Sequence, residues 1–106
     1  MLKKRYLKSG AVKVEFVLPD AIARNAETVY LVGDFNNWDE AATPMDRLKG
    51  GAFKVTLNLE PDREYEFRYL VNSTQWHNDW EADKYVSNPF SGDNSVVSTY
   101  RDDNNK

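Results

Sequence analysis

A chain of 106 residues has room for one domain and not comfortably two, and at this size it buries only about 60–70% of its unfolded surface. That leaves little depth for an enclosed active site. The absence of cysteine excludes disulfides and thiolate metal sites and suits a reducing compartment, so a cytoplasmic protein is expected. A net charge of −3 argues against broad nucleic-acid affinity, which depends on neutralising phosphates.

The chain opens with Lys3, Lys4, Arg5, Lys8 and Lys13 and no acidic residue among them. No apolar run follows that could complete a signal peptide, and no span is long enough to cross a bilayer, so no membrane partner is expected. The basic start reads as a solvated strand edge, beginning with a short strand at residues 4–7. Val12, Val14, Phe16 and Leu18 then alternate with Lys13 and Glu15, the period of a strand with one buried face. Pro19-Asp20 ends this run, and residues 20–26 could make a single helical turn. A third strand is expected at residues 29–32, followed by a polar segment.

Lys49-Gly50-Gly51 turns the chain into Phe53, Val55, Leu57 and Leu59, again alternating with polar residues. Glu60-Pro61-Asp62 separates this strand from Tyr65, Phe67, Tyr69 and Val71, and so short a connection predicts an antiparallel hairpin. Residues 80–86 could make another helical turn, and residues 95–100 a last strand. About seven short strands in such a length predict an all-β, immunoglobulin-like sandwich. Its core would rest on Phe16, Phe53, Phe67, Tyr65 and the aliphatic residues. Residues 1–100 form this domain, and residues 101–106 a polar tail.

Catalytic chemistry is poorly represented. The single histidine, His77, has no nucleophile in a recognisable triad around it. Asp34 with Asp39, and Asp79 with Glu81 or Asp83, are the carboxylate pairs a glycosidase would need, but they stand in polar loops where such residues commonly form turns. Asn78, Asp79, Glu81 and Asp83 cluster hard oxygens without the spacing of a calcium loop. No cofactor, metal or catalytic residue is expected, and the chain reads as a non-enzyme.

The aromatic pattern says more. Trp38 stands among Asp34, Asn36, Asn37 and Asp39 after one strand, and Trp76 among Gln75, His77 and Asn78 after another. Each either packs over the open end of the sandwich or marks a recognition surface, and two in similar post-strand loops favour recognition. A pyranose ring presents an apolar C–H face to an indole and a rim of hydroxyls to planar polar groups. Asn36, Asn37 or Asn94 could bridge such hydroxyls, and Arg68 should point outward opposite the buried Phe67 and Tyr69.

The run Val29-Tyr30-Leu31-Val32-Gly33-Asp34-Phe35-Asn36-Asn37-Trp38-Asp39 resembles the signature of glycogen-binding domains, carbohydrate-binding module family 48. These include the isoamylase N-terminal, early-set domains. Pro44-Met45, residues 53–59, Tyr65-Glu66-Phe67-Arg68-Tyr69-Leu70-Val71, Trp76 and Asn94-Ser95-Val96-Val97 follow in the family's order. The resemblance implies a non-catalytic module that binds α-1,4-glucan or maltooligosaccharide, found beside glucan-branching and debranching enzymes and in kinase β-subunits. It matches Trp38 and Trp76 to the two stacking tryptophans, Arg68 to a sugar-bonding lysine, Asn94 to a sugar-bonding asparagine and Phe90 to an apolar contact. It also implies a second role for such domains, docking onto a glucan-active enzyme. The segment between Val71 and Trp76 is one residue longer than the usual turn, Gly92 stands where the kinase domains have a hydroxyl, and Trp80 is additional.

Overall fold

The computed structural model describes residues 2–88 and 92–101. Alternation decides most of its architecture. In β2 (Val12–Leu18), Val12, Val14, Phe16 and Leu18 are completely buried while Lys13 is exposed. β5 (Phe53–Leu59) pairs with it antiparallel, Val55 opposite Phe16 and Phe53 opposite Leu18. β1 (Leu2–Tyr6) lies on the other side of β2, and the two-residue β4 (Asp46–Arg47) on the other side of β5, giving a first sheet in the order β1-β2-β5-β4.

The second sheet is built on β6 (Glu64–Val71), whose Phe67, Tyr69 and Val71 face inward and are buried. One edge of β6 pairs with β3 (Val29–Gly33). The other edge is shared: β9 (Asp93–Ser98) takes residues 64–67, and β7 (Gln75–His77) takes residues 69–71. β8 (Lys84–Ser87) pairs on the far side of β9. Facing antiparallel sheets, with one helical turn α1 (Asp20–Ala23), make the immunoglobulin-like sandwich that the alternation predicts. Nine strands are present among the described residues, against about seven expected. Between the layers, Phe16 meets Phe67 edge-on at 5.1 Å and Phe35 at 5.5 Å, and Phe67 meets Tyr69 edge-on at 5.7 Å. No helix among the described residues is long and apolar enough to cross a membrane.

Two local expectations fail. The hairpin predicted across Glu60-Pro61-Asp62 does not form, because β5 and β6 belong to different sheets. Each strand has an apolar face, and stacked in opposing layers they cover one another. The connection is held by the end of β9: Asp62 N–H donates to the Thr99 carbonyl at 3.2 Å, and the Thr99 hydroxyl donates to the Glu60 carbonyl at 2.7 Å. Residues 80–86 do not coil either. After a turn at Trp80-Glu81 the chain enters β8, captured by Asp83, whose N–H donates to the Val96 carbonyl and whose carboxylate accepts Ser98 N–H. Of the predicted polar tail, residues 102–106 lie outside the described residues.

A buried polar centre fixes the segment between β7 and β8. Asp79 is 1% exposed; it accepts the Tyr69 hydroxyl at 2.7 Å and its N–H donates to Ser95 Oγ at 2.8 Å. Tyr85 donates to the Asp79 carbonyl from the exposed side. Burial pushes the Tyr69 phenol well above its ordinary value, and the Asp79 charge and hydrogen bond push it further. In the unfolded chain that phenol ionises near about pH 10, so its stabilisation is complete below that pH and is lost as pH rises beyond it. Tyr69→Phe is expected to cost about 1–3 kcal/mol at neutral pH, since Asp79 loses a buried donor. Urea unfolding between about pH 8 and 11 should show a shallower alkaline decline in the variant than in the native chain.

Candidate functional site

The site begins where β3 ends. Gly33 lies so close to β6 that a Cβ there would stand 2.5 Å from the Glu66 carbonyl oxygen and 2.7 Å from Phe67 Cβ. After it, Asp34–Asn36 form one 3-10 turn. The Asn36 amide is consumed within the loop: Oδ1 accepts Gly33 N–H at 3.1 Å, and Nδ2 donates to the Leu31 carbonyl and to Thr43 Oγ1, each at 2.9 Å. Asn36 therefore braces the loop and has no amide group to offer a ligand. Asn37 and Trp38 follow in the left-handed region at φ 58° and 57°. That conformation is costly for a bulky residue and commonly marks functional positions. It is held from both ends. Trp38 N–H donates to the Gly33 carbonyl at 2.9 Å, and the indole Nε1–H donates to Asp34 Oδ1 at 2.9 Å. The other carboxylate oxygen of Asp34 accepts Glu66 N–H at 2.7 Å, so one side chain ties the indole to β6.

Trp76 arrives from the opposite end of β6. The longer turn is accommodated by Asn72 and Ser73 at φ 53° and 63°, and Asn72 Oδ1 accepts Glu27 N–H at 2.7 Å and Thr28 N–H at 3.2 Å. Anchored there, the chain returns as β7 with Trp76 directly opposite Leu70. Leu70 alternates with the inward Tyr69 and Val71, so Trp76 stands on the outer face of the sheet, 40% exposed. The extra turn residue leaves it on that face. Arg68 lies on the same face, opposite Val32 of β3, and its Nε and Nη2 donate to the Asp93 carbonyl at 3.0 and 2.6 Å. Asn78 Nδ2 donates to the same oxygen at 2.8 Å.

These residues converge. Trp38, Glu40, Arg68, Trp76 and Asn88 line one open groove of about 240 Å³. Three residues singled out in the sequence are thus brought together from a loop and two strands, Trp76 standing on β7 where the sequence suggested a loop. Asn94 is not among the lining residues: it is 6% exposed, its Nδ2 donates to Glu66 Oε1 at 2.9 Å, and its Oδ1 accepts Asn88 Nδ2 at 3.2 Å. It lies one hydrogen bond behind the groove, with Asn88 in front. Phe90 lies outside the described residues. Trp80 is 63% exposed and is not among the groove's lining residues. Glu40 and Asn88 were missed. Glu40 stands two residues after Trp38, a spacing that carries no signal until the left-handed pair turns the chain, and Asn88 is brought there by the β8–β9 pairing.

Three of the carboxylates singled out in the sequence, Asp34, Asp79 and Asp83, are engaged structurally. Asp34 and Asp79 hold the bonds described, Glu81 N–H donates to Asp79 Oδ1 at 2.8 Å, and Asp83 pairs with Lys4 at 2.6 Å. Among the described residues no group of three or more histidines or carboxylates is placed to hold a metal, so the oxygens of Asn78, Asp79, Glu81 and Asp83 do not gather into a site.

Two indoles thus line one open groove on the outer face of an immunoglobulin-like sandwich. The description of Carbohydrate-binding module 48 (Isoamylase N-terminal domain) matches residues 10–91, and the chain belongs to that family. The match includes Trp38, Arg68, Trp76 and Phe90 and stops short of Asn94. The chain is similar to the 1,4-alpha-glucan branching enzyme GlgB of Aquifex aeolicus (strain VF5), 35% identical over 69 residues, which are 64% of this chain and 10% of that enzyme. It is also similar to the enzyme of the same name from Prochlorococcus marinus (strain MIT 9301), 29% identical over 63 residues, 59% of this chain and 8% of that enzyme. The chain thus spans about a tenth of the length of these curated relatives. Among solved structures, the ferric enterobactin esterase (fes) of Salmonella typhimurium shares the fold at a TM-score of 0.71 and 9% identity, covering 92% of this chain and 34% of that one.

Proposed function

We propose that this chain is a non-catalytic module that binds α-1,4-glucan (glycogen, starch or maltooligosaccharide) along the Trp38–Trp76 groove, in the cytoplasm. The observation that carries the reading is the convergence of both indoles and Arg68 on one open groove. In this reading Trp38 and Trp76 stack glucose rings through their apolar faces, and Arg68 donates to hydroxyls. Asn94 exchanges its Asn88 bond for a sugar hydroxyl, and Phe90 packs against the chain. An open groove recovers only part of the desolvation and ordering cost, so Kd for maltoheptaose is expected at about 10 μM to 1 mM.

Calorimetric titration with maltoheptaose and retention on immobilised glycogen test the reading. Trp76→Ala is expected to weaken binding by about five- to tenfold, or about 1–1.4 kcal/mol. Pure protein incubated with glycogen is expected to release no reducing sugar. A second reading, docking onto a glucan-active enzyme, draws on the similarity to branching enzymes of which this chain matches only 8–10%. Absence of both heat and retention, together with a stoichiometric complex with such an enzyme, would replace the first reading by the second.

A further inference from the structure

The first sheet has its own exposed outer face, on the side of the sandwich away from the groove. In β1, Leu2 and Tyr6 pack toward the core, so Lys3 and Arg5 point outward, and both are exposed. In β2 the outward residues are Lys13, Glu15 and Val17. The register sets Arg5 directly across from Lys13. Two cations opposed in neighbouring strands repel, and sheets ordinarily avoid the arrangement or place a carboxylate beside it. The nearest carboxylate, Glu15, stands on the same face directly across from Lys3, not from Arg5, and lies 3.9 Å from Lys54. Among the described residues no carboxylate pairs with Lys3, Arg5 or Lys13. The opposed pair sits in a chain whose net charge is −3, so the positive potential is local and not a reflection of composition.

Lys3, Lys4, Arg5, Lys13, Glu15 and Thr56 surround an open hollow of about 430 Å³. Its floor is paired strand, with β2 bonded to β1 on one side and β5 on the other. The backbone N–H groups of β2 are therefore spent in the ladders, and this floor offers side-chain charge. A single phosphate is usually held by convergent backbone donors, which this floor lacks. A broad surface of carboxylates, matched to spaced and mobile cations, suits it better.

We propose that the outer face of the first sheet is a docking surface for an acidic protein surface, with Lys3, Arg5 and Lys13 as its cationic contacts. A carboxylate from the partner relieves the Arg5–Lys13 repulsion on docking. Because the glucan groove belongs to the other sheet, docking and glucan binding are independent and can occur together.

Poly-L-glutamate serves as the probe, titrated against the intact chain at low and moderate salt. Binding is expected to weaken steadily with added salt. Arg5→Glu should weaken it at least about tenfold, whereas Lys49→Glu, an equal charge change in the turn before β5, should have little effect. Arg5→Glu also places a carboxylate opposite Lys13, so its thermal midpoint should rise, and its maltoheptaose titration should match the native chain. The proposal is overturned if poly-L-glutamate does not bind, if Arg5→Glu and Lys49→Glu behave alike, or if the midpoint falls. Inorganic phosphate or phosphatidylglycerol vesicles binding in preference to poly-L-glutamate would likewise overturn it, assigning the face to a small anion or a membrane.

Discussion

Trp38→Ala is expected to weaken maltoheptaose binding by roughly 30-fold, about 2 kcal/mol, the largest single loss in the groove. The reason lies in how the indole is held. Its backbone is fixed in the left-handed region between the Gly33 carbonyl and Asn37, and its Nε1–H is bonded to Asp34, which is bonded in turn to β6. An indole so constrained loses little freedom when a sugar ring lies on it, so more of the stacking energy appears as affinity. Trp76 has no comparable side-chain anchor among the described hydrogen bonds, and it stands on a three-residue strand. Its ordering cost is correspondingly larger and its expected effect smaller. Trp38→Phe separates the two contributions: it keeps an aromatic face and loses the Asp34 bond, and an intermediate affinity is expected. Stability should change modestly in both variants, because a left-handed backbone costs about 1–2 kcal/mol with any side chain larger than glycine. A maltoheptaose titration of Trp38→Ala indistinguishable from the native chain would remove the groove as the site.

The sequence made the layers legible because alternation reports burial directly. Val12, Val14, Phe16 and Leu18 could face only a core, and they are completely buried. Alternation does not report which strand lies beside which. β5 and β6 have the pattern of a hairpin, and only the demand of each apolar face for cover sends them to opposite sheets. The candidate groove was legible to the same degree. Trp38, Arg68 and Trp76 could be read because an indole among polar residues, or an arginine on an outward strand position, carries a local signal. Asn36 and Asn94 could not be distinguished from Asn88 in that way. All three are asparagines in polar surroundings, yet Asn36 is spent on the loop, Asn94 on Glu66 and Asn88, and only Asn88 lines the groove. An amide's direction is set by its hydrogen-bond partners across the fold, and those partners are 3 to 28 residues away in sequence.

Gly33→Ala is expected to cost roughly 3 kcal/mol of stability and most of the glucan affinity together. The backbone there is extended, at φ −175°, so conformational freedom is not what glycine supplies. It supplies space. An alanine Cβ would lie 2.5 Å from the Glu66 carbonyl oxygen, 2.7 Å from Phe67 Cβ and 2.9 Å from Phe35 Cζ. Neither backbone nor Cβ can yield cheaply, because this stretch of β6 is bonded to β3 on one side and β9 on the other. Relief requires β3 to part from β6 at its end, which is where Asp34 reaches Glu66 N–H and where the Gly33 carbonyl receives Trp38 N–H. The strain is therefore delivered to the bonds that orient the indole. Gly50→Ala is the matched control: a Cβ there meets nothing within 4 Å, and a change of no more than about 0.5 kcal/mol is expected. Urea midpoints of both variants, with maltoheptaose titrations under conditions where each is folded, check the argument. If Gly33→Ala unfolds at the native midpoint, the close approach of β3 to β6 does not hold the site. If it is destabilised yet binds normally, Trp38 is oriented by Asp34 alone.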